Sequence, residues 1–312
     1  MSETFSFSFV MPAFKSRFLY KAIDSILKQS YSIFELIIVN DASPDNIKDI
    51  ICHFHDKRIR YEENKENIGG KDLVSNWNHC IKYAQNDYII LATDDDIFEP
   101  SFLSEAIKLI EMYPNVDLIR SGVKKIDENE NVLDIEFPHK KFVTAREFML
   151  LYAKGETISC ISNYIFKRIA LERNHGFISF PKAHYSDDAT ALALSTNGVA
   201  CMAGNYFNFR VSSINLSNRS ELPLVKEQLK ATELYMEWYQ NHIRILNTNP
   251  NDFFERACYG GYKARYITMI DNLISKYPLS RIHIVIQVVF KNKHLFRKEK
   301  LKLFSSYLIN RL

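Results

Sequence analysis

Apolar residues over the first 120 or so positions alternate between short continuous runs and stretches spaced at helical intervals. Phe5 to Met11 reads as a strand ended by Pro12, and Phe34 to Val39 as a second, bounded by Asn40 and Asp41. Ile59 to Tyr61, Tyr88 to Ala92 and Val116 to Ile119 continue the series. Such uninterrupted runs suit parallel strands buried on both faces. Between them Phe18 to Lys28 carries Leu19, Ala22, Ile23, Ile26 and Leu27 at helical spacing. Ile47 to Phe54, Leu73 to Ala84 and Ser101 to Met112 read as further helices, with Ser101 placed to cap the last. This order predicts an α/β fold, a mostly parallel central sheet covered on both faces.

Beyond Ser121 the rhythm changes. Lys124 to Ile135 reads as a polar hairpin turning near Glu128, and Thr144-Ala-Arg-Glu147 is a capping-box pattern opening a helix through Tyr152. Ile158 to Phe166 reads as a strand, Ala200 to Val211 as a pair of short ones, and the polar stretch from Ser217 to Pro223 as a linker. Leu224 to Leu312 reads as helical throughout. Two domains follow: 1–218, divided into halves 1–121 and 122–218, and a helical extension over 219–312.

Composition narrows the function classes. A net charge of +3 argues against nucleic acid as a partner. The five cysteines are scattered and odd in number, with no Cys-x-x-Cys pair, which argues against a zinc site or disulfide framework and suits a reducing cytoplasm. No leader-like N-terminus is legible, and Ile282 to Phe290 falls far short of the ~20 residues of a spanning helix. The 22 Phe and 17 Tyr suit either a filled core or stacking surfaces for bases and sugars.

In an open parallel sheet, ligands bind beyond the carboxyl ends of the strands. Met11-Pro12-Ala13-Phe14, Asn40-Asp41-Ala42-Ser43 and Thr93-Asp94-Asp95-Asp96 all fall there. Three consecutive carboxylates repel one another, and a hard divalent cation bridging to phosphate would neutralise them. The same residues also suit a solvated turn capping the next helix.

Taken together, Phe9 to Phe14, Ala22 to Tyr31, Phe34 to Ser43, Asn67-Ile68-Gly69-Gly70, Asn76-Trp77-Asn78 and Asp87 to Pro100 resemble the opening of a family 2 glycosyltransferase, in order and over about 110 residues. The resemblance implies a GT-A nucleotide-sugar-binding fold plus the C-terminal helical extension. It implies a sugar transferred with inversion from a nucleotide diphosphate donor to a hydroxyl of a saccharide or lipid-linked saccharide, as in surface polysaccharide synthesis. UDP is the nucleotide by family habit, with dTDP and GDP open. Pro12 and Phe14 would line the base pocket, Asp41 would bind base or ribose, Asn78 would stand behind the donor, and Lys71 would reach base or diphosphate. Thr93 stands at the usual first Asp of the acidic motif, so Asp94 would take over contacts to ribose or metal. Asp95 is the leading ligand for Mn²⁺ or Mg²⁺, with Asp96 binding or orienting.

Tyr185-Ser186-Asp187-Asp188 resembles the family's acidic pair below the acceptor, with Asp188 as base and Asp187 as its neighbour. An ordinary Asp cap before Ala189 to Leu194 is the competing reading, and His184 would line the acceptor pocket or pack. Phe207 to Ser217 resembles the segment closing over the donor; Arg210 would offset diphosphate charge or lie on the surface, and Ser212 stands where relatives often have His. The basic tail, Lys291 to Lys302, with Phe296, Leu303, Phe304, Tyr307 and Leu308, suits either anionic lipid at the inner face of the plasma membrane or packing on the body. Competing functions are an inactive sugar-nucleotide scaffold and a Mg²⁺-dependent phosphotransfer domain.

Overall fold

A computed structural model of the chain describes residues 4–213, 215, 221–246 and 253–309. Strands β1 (Phe7–Ala13), β2 (Phe34–Asn40), β3 (Ile59–Glu63) and β4 (Tyr88–Leu91) are all parallel, in the order β3-β2-β1-β4. The sheet continues as a mixed one. β9 (Tyr164–Lys167) runs antiparallel to β4 and to β6 (Leu118–Ile126), while β10 (Val199–Arg210) runs parallel to β6. β5 (Ile97–Phe98) and β8 (Phe142–Val143) pair with β10, and β7 (Val132–Ile135) closes a hairpin on β6. The expected pair of strands after Ala200 is one strand, with its register shifted between Cys201 and Phe207.

The alternation of β1 explains its two faces. Phe7, Phe9, Met11 and Ala13 join a core built with α1 (Leu19–Leu27), α2 (Ile47–Cys52) and α4 (Phe102–Met112), while α3 (Leu73–Cys80) packs on the sheet independently of that core. Ser101 holds the cap position of α4 without a side-chain hydrogen bond, contrary to expectation. Pro12 does not end β1 but lies within it, in register with Val39. What Pro12 ends is the ladder to β4, which stops at Val10 and Leu91. Without an N–H, Pro12 cannot continue that ladder, so the strands part where Thr93–Asp96 follows.

The capping box of α5 (Ala145–Lys154) forms as expected: Thr144 N–H donates to Glu147 Oε2 at 2.9 Å, and Glu147 N–H to Thr144 Oγ1 at 3.2 Å. Thr144→Ala should lower the unfolding free energy by about 0.5–2 kcal/mol, measured by urea denaturation. An unchanged midpoint would mean that packing alone holds this helix.

By internal packing the chain forms two units, Met1–Phe148 with Thr157–Ser179 and Ser186–Ser212, and Met149–Glu156 with Phe180–Tyr185 and Ser213–Leu312. The expected boundary at 218/219 lies outside the described residues, as do residues 217–220 of the linker; Leu222 and Pro223 already belong to α8 (Leu222–Leu246). α9 (Phe253–Ile274), α10 (Ile282–Lys291) and α11 (Arg297–Ile309) complete the second unit, helical as expected. Its core is built from tyrosines. Tyr239 and Tyr262 lie 4.3 Å apart by ring centroid, Tyr185 stacks on Tyr235 at 4.6 Å, and all four are buried. Much of the aromatic excess is therefore core. His184 packs on the Tyr185 ring, and burial brings its pKa down to about 4. In α11, Leu303 and Tyr307 are buried, and Phe296 just before it is exposed. Among the described residues no helix is long and apolar enough to cross a membrane.

Candidate active site

The three sequence clusters meet because β2, β1 and β4 are parallel neighbours. Their carboxyl ends are tied together. Asp94 Oδ2 accepts the backbone N–H of Phe14 at 2.9 Å and of Lys15 at 2.7 Å, and Ser43 Oγ donates to Phe14 O at 2.5 Å. Half-buried Pro12 and the partly exposed ring of Phe14 thus sit at this edge.

Asp41 is buried and accepts from Asn64 Nδ2 at 2.8 Å, Ile68 N–H at 2.9 Å and Gly69 N–H at 2.8 Å. An ionised carboxylate has about four acceptor positions, so one remains for a ligand. Its first role is to shape the 64–69 loop. A Cβ on Gly69 would approach Asp41 Oδ2 to 2.9 Å, so the close approach requires glycine there.

Two expected donor contacts are placed differently. Asn78 Oδ1 accepts Phe177 N–H at 2.7 Å while its Nδ2 donates to Phe177 O at 3.0 Å, so its amide pins a loop. Lys71 is exposed and pairs with Glu66 at 2.7 Å. The lysine at the acidic motif is instead Lys15, whose Nζ lies 3.2 Å from Asp95 Oδ2 and 3.8 Å from Asp94 Oδ1. Sequence reasoning missed it, although it directly follows Met11–Phe14 and so shares their strand end.

The acidic residues divide by environment. Burial raises the Asp94 pKa, with the Lys15 charge opposing it. Burial and then the Asp95 charge push Asp96 well above the usual carboxylate range. Asp96 Oδ2 accepts from Thr93 Oγ1 and Oδ1 from the Arg210 N–H at 2.8 Å. Arg210 is fully buried, which rules out the surface reading of it. Its guanidinium donates to Asp95 O at 2.8 Å and to Asp127 O and Glu128 O at 3.2 Å each, and lies 4.5 Å over the Phe18 ring. With no exposed surface it organises the acidic motif from behind.

The three carboxylates do not form a metal cage. Among the described residues no three His, Cys, Asp or Glu side chains converge as metal ligands. Asp94 and Asp96 are engaged with protein donors, which leaves Asp95, paired with Lys15. Divalent cations are often held by one or two carboxylates plus substrate phosphates. Asp95 fits that arrangement, and a dedicated three-Asp site does not.

Asp187 and Asp188 lie in the first turn of α7 (Ser186–Ala193), as expected. Asp187 Oδ1 accepts the Asp188 N–H at 3.0 Å. Burial, then the Asp188 charge, holds the Asp187 pKa well above the usual range. Burial pushes the Cys160 thiol up, and the charges of Asp96, Asp187 and Asp188 add to the effect.

A sequence model described as Glycosyl transferase family 2 matches residues 8–174, more than half of the chain. The chain belongs to glycosyl transferase family 2. The match spans the strand-end clusters but ends before Asp187, Asp188 and Arg210. EpsE of Bacillus subtilis is 35% identical over 116 residues, 36% of this chain and 40% of that protein. The Escherichia coli UDP-Glc:α-D-GlcNAc-diphosphoundecaprenol β-1,3-glucosyltransferase WfgD is 26% identical over 215 residues, 68% of this chain and 79% of that protein. The matched stretch spans only 40%, 43% and 52% of the lengths of three curated relatives. Staphylococcus aureus TarS in complex with UDP aligns with a TM-score of 0.56 at 18% identity, over 97% of this chain and 89% of that one. The mannosyltransferase PcManGT of Pyrobaculum calidifontis, in complex with GDP-Man and Mn²⁺, aligns at 0.54 and 12% identity, over 99% and 88%. At such identities the likeness is one of fold, the GT-A type.

Proposed function

We propose that this chain transfers a hexosyl group, with inversion, from a UDP-sugar to a hydroxyl of a saccharide carried on a lipid diphosphate. The observation that carries the reading is the placement of two separate acidic groups, Asp94–Asp96 with Lys15 at the strand ends and Asp187–Asp188 opening α7. TarS complexes with UDP and UDP-GlcNAc, and the donor and acceptor in the name of WfgD, support the choice of nucleotide and acceptor. Residues 1–218 are the catalytic domain in this reading and 219–312 its extension.

In the reaction, Asp188 takes the proton of the acceptor hydroxyl as its oxygen bonds to the anomeric carbon. The bond from that carbon to the diphosphate oxygen breaks, and UDP leaves. A single displacement inverts the anomeric centre. Lys15 offsets the charge growing on the diphosphate, and Asp95 would hold Mn²⁺ or Mg²⁺ against it. When bound, the cation stabilises the leaving diphosphate. The work is cytoplasmic. Exposed Phe290, Phe296 and Leu301 beside exposed Arg297, Lys298 and Lys302 support peripheral contact of the C-terminal helices with anionic lipid.

A thermal-shift panel of UDP, GDP, dTDP and CDP, with and without Mn²⁺, tests the donor assignment on wild type and Asp95→Ala. We expect a Mn²⁺-dependent rise with UDP that the variant loses. A rise with UDP that ignores Mn²⁺ and survives Asp95→Ala would remove the cation from the reading. No rise with any nucleotide would sink the donor assignment and favour a phosphotransfer role.

A further inference from the structure

Outside the strand-end cluster lies a heavily hydrogen-bonded buried ion pair. Arg120 on β6 is 1% exposed and Glu136, just after β7, is 5% exposed. Arg120 Nη2 donates to both Glu136 oxygens at 2.9 Å. Glu136 also accepts from Val123 N–H at 3.0 Å, His139 Nε2 at 3.1 Å and Thr157 Oγ1 at 3.2 Å. The pair then grips a single residue from both sides. Ile158 N–H donates to Glu136 Oε1 at 2.9 Å, and Ile158 O accepts from Arg120 Nη2 at 2.9 Å.

Two buried charges are a costly way to satisfy a few backbone groups, and an apolar pair of similar volume is often as stable or more so. A role in placing the chain accounts for the choice. The chain placed here matters for the site. β9 runs antiparallel to β4, so its entrance lies at the edge where β4 leads into Thr93–Asp96. The turn Ile161–Asn163 packs on β4 and β6. Asn163 closes it, accepting Cys160 N–H at 3.2 Å and donating to Ser121 O at 2.8 Å. Ser159 and Cys160 therefore lie between a gripped residue and a closed turn, with half-buried side chains. The Asp96, Asp187 and Asp188 charges all reach the Cys160 thiol.

We infer that Arg120 and Glu136 are positioning residues that hold Ile158–Cys160 as a wall at the edge that carries the Asp94–Asp96 motif. Its consequence for turnover rests on the function proposed above; its consequence for the wall does not. The test uses the full chain with two variants. Arg120→Met with Glu136→Leu removes both charges, and Thr157→Val removes one bond to Glu136 while keeping both.

Site-resolved alkylation by iodoacetamide reads the wall directly at Cys160, with exposed Cys52 as internal reference. Thr157→Val should speed Cys160 modification about fivefold, the factor that one net hydrogen bond represents, and the double variant should speed it more. Because Thr157→Val keeps the Glu136 charge, a rise there cannot come from a changed field at the thiol. UDP release from UDP-glucose, with water as acceptor, should fall about tenfold in the double variant, with UDP affinity unchanged. Unchanged Cys160 rates in the folded variants would overturn the inference, and Thr157→Val decides alone if the double variant does not fold. Faster alkylation with wild-type UDP release would overturn the catalytic role of the wall. A wild type that releases no UDP would count against the proposed function, while the alkylation rates still decide the placement.

Discussion

Replacing Asp188 by asparagine should lower turnover by about 10²–10⁴-fold, the usual contribution of a general base, and leave nucleotide affinity unchanged. Replacing Asp187 by asparagine should leave turnover within about tenfold of wild type. The asymmetry follows from the local electrostatics. Burial and then the Asp188 charge hold the Asp187 pKa well above the usual carboxylate range. The asparagine amide at 187 mimics a protonated carboxyl, and its Oδ1 can still accept the Asp188 N–H. In this reading the singly protonated pair is the active form. As pH falls the pair takes up a second proton and turnover drops, and Asp187→Asn should show the same acid limb. Steady-state release of UDP across pH, with UDP binding measured in parallel, decides the matter. The reverse pattern would make Asp187 the base, and equal mild losses would reduce both residues to helix-capping.

Removing Glu136 alone should be among the most damaging core substitutions in the first unit. Glu136→Leu leaves the Arg120 guanidinium buried without its partner, at a cost of about 3–5 kcal/mol. That is a large share of the ~5–15 kcal/mol stability of an ordinary domain. The Glu136 pKa is brought down from 4.5 to about 2, burial being outweighed by the hydrogen bond from His139, the Arg120 charge and the Ile158 N–H. A carboxyl whose folded pKa lies below its unfolded value stabilises the fold above the unfolded value, and this is lost as pH falls through the folded one. Wild type should therefore lose the Glu136 contribution between about pH 4.5 and about 2, and Glu136→Leu should lack that part of the acid transition. Urea denaturation at pH 7 and pH 3 measures both. A midpoint within error of wild type at pH 7 would show that Arg120 finds water or another acceptor.

The two predictions rest on residues of different legibility. Asp187 and Asp188 stand out as an acidic pair before a helical run, and helix α7 begins there. Arg120 and Glu136 are 16 positions apart in the chain, and nothing local to either announces the other. Thr93–Asp96, Asn40–Ser43 and Met11–Phe14 were legible for the same reason as the strands before them. Each closes a continuous apolar run, and parallel order brings such ends to one edge.

Side-chain direction was not legible. Lys71 and Lys15 are both single lysines in loops at this edge, and only the folded chain pairs one with Glu66 and the other with Asp95. Asn78 and Arg210 lie in segments that resemble the family, yet their polar atoms hold Phe177 and the acidic motif's own backbone. Pro12 reads as a strand end in sequence, whereas in the sheet it ends only the ladder to β4.

By itself the sequence determined the family, the α/β order of the first half, the helical second unit and the edge that carries the acidic clusters. These follow from hydrophobic periodicity and strand direction, which act over a few residues at a time. Tertiary structure alone decided which polar atoms meet one another and which remain for a ligand. Those choices depend on partners tens of positions away, as Arg210 does on Asp95 and Asp127, and on burial that no local pattern encodes.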